Sequence, residues 1–143
     1  YFEGDALYPF GYGLSYTRFE YQDLSLSHDR MSGPETLYVS CIVRNVGVVR
    51  GDEVVQVYIR DEEASTPVPR HSLAAFKRIH LAPGAEQRLT FEIHPKQFAM
   101  VSDEGRWVVE PGRFAVFIGG GQPGTNGVLS THVEMIGERF FLK

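Results

Sequence analysis

The chain has 143 residues, a length that suits one domain able to bury a core of its own. Hydrophobic residues make up 43% and charged residues 22%, as in ordinary globular proteins, and the net charge is −4 without a basic block. This balance argues against nucleic acid or an anionic membrane as a partner, and no apolar run approaches the ~18 residues of a membrane span.

The first predicted element is an uncharged aromatic segment, YPFGYGLSYT, over residues 8–17. It contains three tyrosines, one phenylalanine and two glycines, and it has neither helical periodicity nor strand alternation. We therefore predict that residues 1–17 form an irregular linker whose aromatic side chains pack on a partner outside this chain. Residues 18–143 are predicted to form the domain.

Alternation with a period of two residues then predicts strands from one end of the domain to the other. The first run places Phe19 and Tyr21 on one face and then changes phase to Leu24 and Leu26, which predicts a β-bulge between them. The side chains predicted to face the core in the later runs are Leu37, Val39, Cys41 and Val43; Val55, Val57 and Ile59; Leu89, Phe91 and Ile93; Phe114, Val116 and Ile118; and Leu129, Thr131, Val133 and Met135.

Turn signals separate these runs. Pro83-Gly84 and Pro111-Gly112 suit type II turns, and Asn45-Val46-Gly47 and Asp103-Glu104-Gly105 supply residues that tolerate a left-handed backbone. Short strands separated by such turns predict an all-β sandwich of two antiparallel sheets.

Residues 1–17 and 62–73 fall outside this rhythm. HPKQFAM is the only helix candidate, a single turn that Pro95 could open. Residues 62–73 are rich in proline and small polar residues, and we predict that they form a long loop that crosses between the sheets.

Residues 119–124, GGGQPG, formally match a GxGxxG nucleotide motif after a strand, but no helical pattern follows and Pro123 intrudes. A flexible loop is the better interpretation. Asp61, Glu62 and Glu63 could in principle supply paired carboxylates for glycoside chemistry. Neighbouring residues at a strand end point to opposite faces, so solvated loop charge is preferred.

The remaining candidates favour structural roles over chemical ones. The histidines show no metal-binding spacing; they are His28, His71, His80, His94 and His132. Cys41, the only cysteine, is predicted to be a small core residue. Trp107 is predicted to pack in the core or at an edge, with a platform for stacking a sugar as the alternative. We therefore predict no catalytic, cofactor-binding or metal-binding residue.

Four segments together resemble one known domain. LYPFGYGLSYTRFEY resembles the junction that precedes the C-terminal fibronectin type III-like domain of glycoside hydrolase family 3 enzymes. RNVGVVRGDEVVQVYIRD, LAAFKRIHLAPGAEQRLTFEI and DEGRWVVEPGRFAVFIGG are similar to three segments of that domain, in the same order. Ala75 stands where the family usually has glycine, which we interpret as a small change in loop conformation. The N-terminal segment and GGGQPG are closest to the β-xylosidase-like branch, although β-glucosidases share most of these motifs.

The resemblance implies an immunoglobulin/fibronectin type III-like sandwich in a retaining, exo-acting β-xylosidase or β-glucosidase that needs no cofactor. It also implies that the nucleophile and the acid/base lie on preceding catalytic domains, so no catalytic position is assigned here. The partner is then the catalytic domains of the same polypeptide, contacted through a set of interface residues in the N-terminal segment. These predicted residues are Tyr8, Pro9, Phe10, Tyr12, Leu14 and Tyr16.

Alternatives to a scaffolding role remain at this point. The domain could be a carbohydrate-binding module that holds polysaccharide through Trp107 and exposed tyrosines. Residues 62–73 could shape the substrate entrance or contact a second subunit.

Overall fold

The computed structural model describes residues 17–32, 34–62 and 72–142, and these form an all-β fold. The predicted interface residues Tyr8, Pro9, Phe10, Tyr12, Leu14 and Tyr16 lie outside the described residues, as do Glu63 and His71. In chain order the strands are β1 (Phe19–Leu26), β2 (Arg30–Met31), β3 (Leu37–Asn45), β4 (Gly51–Asp61), β5 (Ser72–Leu81), β6 (Glu86–Ile93), β7 (Met100–Val101), β8 (Trp107–Val109), β9 (Gly112–Gly119), β10 (Leu129–Met135) and β11 (Phe140–Phe141). A single 3₁₀ turn spans Pro95–Phe98, where the sequence predicted one helical turn opened by proline.

Two sheets make up the sandwich. One has three strands in the order β1-β3-β6, and the other has five in the order β2-β10-β9-β4-β5. A small third sheet, β11-β8-β7, adds to the two that were predicted. Every strand pair is antiparallel except β2–β10, which is parallel and only two residues long. The predicted all-β sandwich is therefore confirmed, with these two additions.

The core lies between the two sheets and follows the predicted alternation. On β3 the side chains of Leu37, Val39, Cys41 and Val43 are fully buried, and their neighbours Tyr38 and Arg44 are exposed. The same pattern holds on β6, and the inward residues of β4 and β9 are also buried. Each fully buried aliphatic side chain contributes about 1.5–3 kcal/mol, so these four strands supply most of the stability.

The phase change in the first run is a bulge in β1. The register against β3 shifts between Gln22 and Ser25, and Asp23 adopts a left-handed φ of 58°. The extra residue brings Leu24 and Leu26 to the side of the core after Phe19 and Tyr21, as predicted.

Two loop predictions are wrong. Strands β4 and β5 are hydrogen-bonded neighbours in one sheet, so the connection between Asp61 and Ser72 does not cross between sheets. Ala75 lies in β5 and pairs with Val57, beside a shift in register, and it is not in a loop. Strand order cannot be read from local pattern, because a long connection can join neighbours as well as distant strands.

Pro111-Gly112 also differs from its prediction. Gly112 is the first residue of β9, and its φ of 143° is far from the value of about +80° that a type II turn requires.

Candidate functional site: the N-terminal junction

The described chain begins at one end of the sandwich, where strand β1 is tied to the turn that joins β3 to β4. The Thr17 hydroxyl donates to the carbonyl oxygen of Val49, and the Val46 amide donates to the carbonyl of Arg18 at 2.8 Å. We call Thr17, Arg18 and residues 45–49 the N-terminal junction. It fixes the position at which the preceding polypeptide reaches the domain.

Gly47 makes this contact possible because it has no side chain. A Cβ atom there would lie 2.6 Å from Thr17 Cα and 2.9 Å from the Arg18 nitrogen, both of them backbone atoms. The sequence predicted a left-handed residue at Asn45-Val46-Gly47, but Gly47 has no positive φ. Glycine is therefore required here for close packing of two backbone segments and not for its torsion angles.

Asn45 is the centre of the junction and the only polar residue that is fully buried within the described ranges. Its Nδ2 donates to the carbonyl oxygens of Val49 and Leu81, each at 2.9 Å, and its Oδ1 accepts from the Gly47 amide at 2.9 Å. The amide group thus uses both of its donor hydrogens and its acceptor, as a buried side chain of this kind must.

The Pro83-Gly84 turn completes the junction end of the sandwich. Gly84 has a φ of 78° and the Ala85 amide donates to the Ala82 carbonyl at 3.0 Å, which confirms the predicted type II geometry. The Gly84 amide also donates to the Asn45 carbonyl at 2.8 Å, so Asn45 links the β3–β4 connection to the β5–β6 connection.

The role of Asn45 was not predicted from the sequence. The strand alternation indicates it, because Asn45 occupies the next inward-facing position of β3 after Leu37, Val39, Cys41 and Val43. A polar residue at the end of a buried series must find partners inside the protein.

A partly buried polar contact links the two sheets near the same end. The Tyr21 hydroxyl on β1 donates to Glu53 Oε2 on β4 at 2.8 Å. Burial raises the pKa of the Glu53 carboxyl, although the bond from Tyr21 acts in the opposite direction. Burial and the neighbouring Glu53 charge also raise the pKa of Tyr21.

The GxGxxG segment lies beside this carboxyl group. Gly120 lies so close to Glu53 that a side chain at residue 120 would collide with Glu53 Oε2. No helix follows residues 119–124; instead β10 begins at Leu129. The structure thus supports the loop interpretation, because a nearby carboxylate and the absent helix both disfavour a phosphate group.

Charged side chains form two groups on the outer face of the five-stranded sheet. Near the junction, Asp52 accepts two bonds from Arg78, at 2.7 and 3.0 Å, and lies 2.5 Å from His80 Nδ1. The bonds from His80 and then Arg78 hold the pKa of Asp52 below its usual value. At the other end, Glu62 lies 3.1 Å from Arg60 and 3.3 Å from His132.

Of the predicted acidic and histidine residues, these groups place Glu62, His80 and His132 in surface ion pairs. His28 lies 3.9 Å from Glu35, and His94 lies 3.5 Å from Glu92. Across the described ranges, no three side chains of His, Cys, Asp or Glu come together as a possible metal site. Within the same ranges, no helix is long and apolar enough to span a membrane.

Cys41 and Trp107 occupy different environments. Cys41 is fully buried in β3, and burial raises the pKa of its thiol to about 11, as expected for a core residue. Trp107 is exposed at the start of β8, the middle strand of the small third sheet, so the prediction that it packs in the core or at an edge is wrong. The Lys96 ammonium lies 5.7 Å from the centre of its ring.

The sandwich and the buried junction define the class: this is an immunoglobulin-like β-sandwich domain. Residues 53–122 match the family described as "Fibronectin type III-like domain". The chain is therefore a fibronectin type III-like domain, of the kind found in family 3 glycoside hydrolases.

Its relatives are β-glucosidases and β-xylosidases. Thermostable beta-glucosidase B of Acetivibrio thermocellus is 40% identical over 116 residues, which are 80% of this chain and 15% of that protein. A putative beta-xylosidase of Formosa agariphila is 39% identical over 117 residues, 82% of this chain and 16% of that protein. The structure of a beta-glucosidase from Listeria innocua in complex with glucose superimposes with a TM-score of 0.80 at 36% identity, covering 92% of this chain and 18% of that one. The chain thus spans less than one fifth of the length of these relatives.

Proposed function

We propose that this chain is a non-catalytic domain that stabilises the catalytic domains of a retaining, exo-acting β-glucosidase or β-xylosidase. In this proposal residues 1–17 pack on a preceding α/β domain and residues 18–143 form the sandwich. The contacts to that domain come from the six side chains predicted from the sequence, Tyr8, Pro9, Phe10, Tyr12, Leu14 and Tyr16.

The N-terminal junction is the observation that carries the proposal. The buried amide of Asn45 holds the turn that receives Thr17, so the preceding segment leaves the domain from a fixed point. A rigid exit of this kind suits a domain whose work is to hold a neighbour in place.

The carboxylates of the described residues support a non-catalytic role. A retaining glycosidase needs two carboxyl groups about 5–5.5 Å apart on either side of the scissile bond. Glu53 is half-buried against Tyr21, and Glu62 is engaged by Arg60 and His132. Both groups already serve as partners within the sandwich.

Two measurements test the proposal. Purified 143-residue chain is assayed with aryl β-glucoside and aryl β-xyloside, and we expect no turnover. The longer polypeptide, meaning the proposed catalytic domains followed by this chain, is then compared with a version that ends at residue 17 of this chain. We expect the shortened protein to melt at a lower temperature or to be insoluble. Unchanged thermal stability after this deletion would contradict a stabilising role.

Trp107 favours a second candidate, a carbohydrate-binding module, because an exposed indole can stack on a sugar ring. Retention of the chain on xylan or cellulose, lost in Trp107→Ala, would support that candidate. Equal passage of both proteins through the column would leave scaffolding as the function.

A further inference from the structure

Three exposed apolar side chains line the outer face of the five-stranded sheet where β4 pairs with β5. Val54, Leu73 and Phe76 are exposed to 40%, 46% and 65%. Phe76 pairs with Gln56 and thus lies on the face opposite to the buried Val55 and Val57. We call Val54, Leu73 and Phe76 the β4–β5 strip.

The strip continues towards the N-terminal junction. Strand β4 begins at Gly51, directly after the junction turn, in which Val48 is 81% exposed. Val49 of the same turn is also exposed, and its carbonyl binds Thr17. Exposed apolar side chains are therefore present both in the turn of the N-terminal junction and on β4 and β5.

Charged groups lie between these two apolar regions. Asp52 pairs with His80 across the strands, next to Val54 and its partner Arg78, and the hydrogen bonds to Asp52 hold the two basic side chains in place. An apolar centre beside ordered polar groups is the usual composition of a protein interface. Exposed apolar patches of this kind commonly mark such surfaces on isolated domains.

We propose that the β4–β5 strip and Val48 form the surface that docks on the domain preceding this chain in its full polypeptide. This inference rests on the proposed function and names the face of the sandwich that performs it. The chain spans only 15% to 18% of its relatives, so most of a polypeptide of their length would precede or follow it. Strand β4 runs from the turn at that exit point to Val54, so one strand connects the strip to the place where the preceding polypeptide arrives.

The features of the edge strand disfavour pairing of β5 with a second copy of this chain. Strand β5 lies at the open edge of its sheet, where two identical edges could pair. The register irregularity between Val57 and Tyr58 interrupts the regular ladder with β4, and the exposed Lys77 and Arg78 bring positive charge to β5. Bulges and basic side chains are the features with which proteins prevent pairing between edges.

Cysteine labelling tests the proposal directly. Phe76→Cys is made in the 143-residue chain and in the longer polypeptide, with Val101→Cys, on the third sheet, as the matched exposed control. Maleimide modification of each site is timed by mass spectrometry of its peptide, and Cys41 is buried in the core and should remain unmodified. We expect labelling at residue 76 to be slower by roughly tenfold or more in the longer polypeptide, and labelling at residue 101 to be unchanged.

A stability measurement provides an independent test. Phe76→Ser should lower the melting temperature of the longer polypeptide and leave that of the 143-residue chain nearly unchanged, while Val101→Ser should affect neither. Equal labelling of residue 76 in both proteins would overturn the proposal. So would protection that appears in the short chain as its concentration rises, because that result would assign the strip to a second copy.

The two proposals can fail separately. If deletion of the domain destabilises the longer polypeptide while residue 76 labels freely there, the scaffolding role stands and the docking face is wrong. If deletion has no effect on stability, the proposed function itself fails.

Discussion

Removal of the Asn45 side chain should be the most damaging single polar substitution in the described part of the domain. Asn45→Ala removes three hydrogen bonds of 2.9 Å and leaves the Gly47 amide and the carbonyls of Val49 and Leu81 without that partner in a buried site. Each such bond contributes a net of about 0.5–1.5 kcal/mol, which gives a loss of about 3 kcal/mol in the free energy of unfolding. For a domain of this size the melting temperature should fall by roughly 10 °C.

Two companion variants isolate the cause. Asn45→Asp keeps an acceptor for Gly47 but places a carboxylate oxygen against two carbonyl oxygens, so it should destabilise the domain at least as much as alanine at pH 7. Arg44→Ala changes the exposed neighbour on the same strand and should cost less than about 0.5 kcal/mol.

Urea unfolding followed by circular dichroism measures all three variants against the parent chain. Hydrogen exchange of the Val46 and Gly47 amides reports whether the damage begins at the junction. If the free energies of unfolding of Asn45→Ala and Arg44→Ala differ by less than 0.5 kcal/mol, the Asn45 amide does not hold the junction and the reasoning is refuted.

Three further predictions concern single groups. Gly47→Ala should destabilise the domain more than Gly105→Ala, because a Cβ at 47 meets backbone atoms whereas residue 105, with a φ of 77°, has open space; the two melting temperatures test this. The raised pKa of Glu53 gives stability that is present below its unfolded value and lost as pH rises through its folded value, so the stability of the parent relative to Glu53→Gln should fall as pH rises above the usual carboxyl range. Parallel pH profiles would contradict that assignment. Cys41, with its pKa near 11 and full burial, should react with iodoacetamide at pH 8 only as fast as the chain unfolds, and rapid labelling of the native chain would show an accessible thiol.

The core could be predicted from the sequence because strand alternation is local. Val55, Val57 and Ile59 are inward by parity alone, and the observed burial follows that parity. The same rule places Asn45 and Glu53 on buried series, since each lies two residues from a core position. The strand alternation thus indicates that Asn45 and Glu53 face inward. Their hydrogen-bond partners lie on other strands and turns, so the partners could be identified only from the fold.

The features that could not be predicted depend on contacts between distant segments. Gly47 is needed because Thr17, thirty positions earlier, packs against it. A side chain at residue 120 would displace the Glu53 carboxylate, which lies 67 positions earlier in the chain. The strand order shows that residues 62–73 connect two neighbouring strands of one sheet. No local sequence pattern distinguishes such a connection from one that joins the two sheets.

The stiffness of the N-terminal junction bears on how well the domain could hold a neighbour. Two domains joined by a short flexible linker meet at an effective concentration in the millimolar range, and each linker residue that becomes ordered on contact costs about 1–2 kcal/mol of backbone entropy. The bonds from Thr17 and to Arg18 order these residues before any contact forms. A weak apolar strip can then suffice for docking, because the junction has already restricted the orientations that the two domains can sample. It follows that the losses in melting temperature from Gly47→Ala and Phe76→Ser should be less than additive in the longer polypeptide, because once one change has abolished docking the other has no docked contact left to weaken, and additive in the isolated chain.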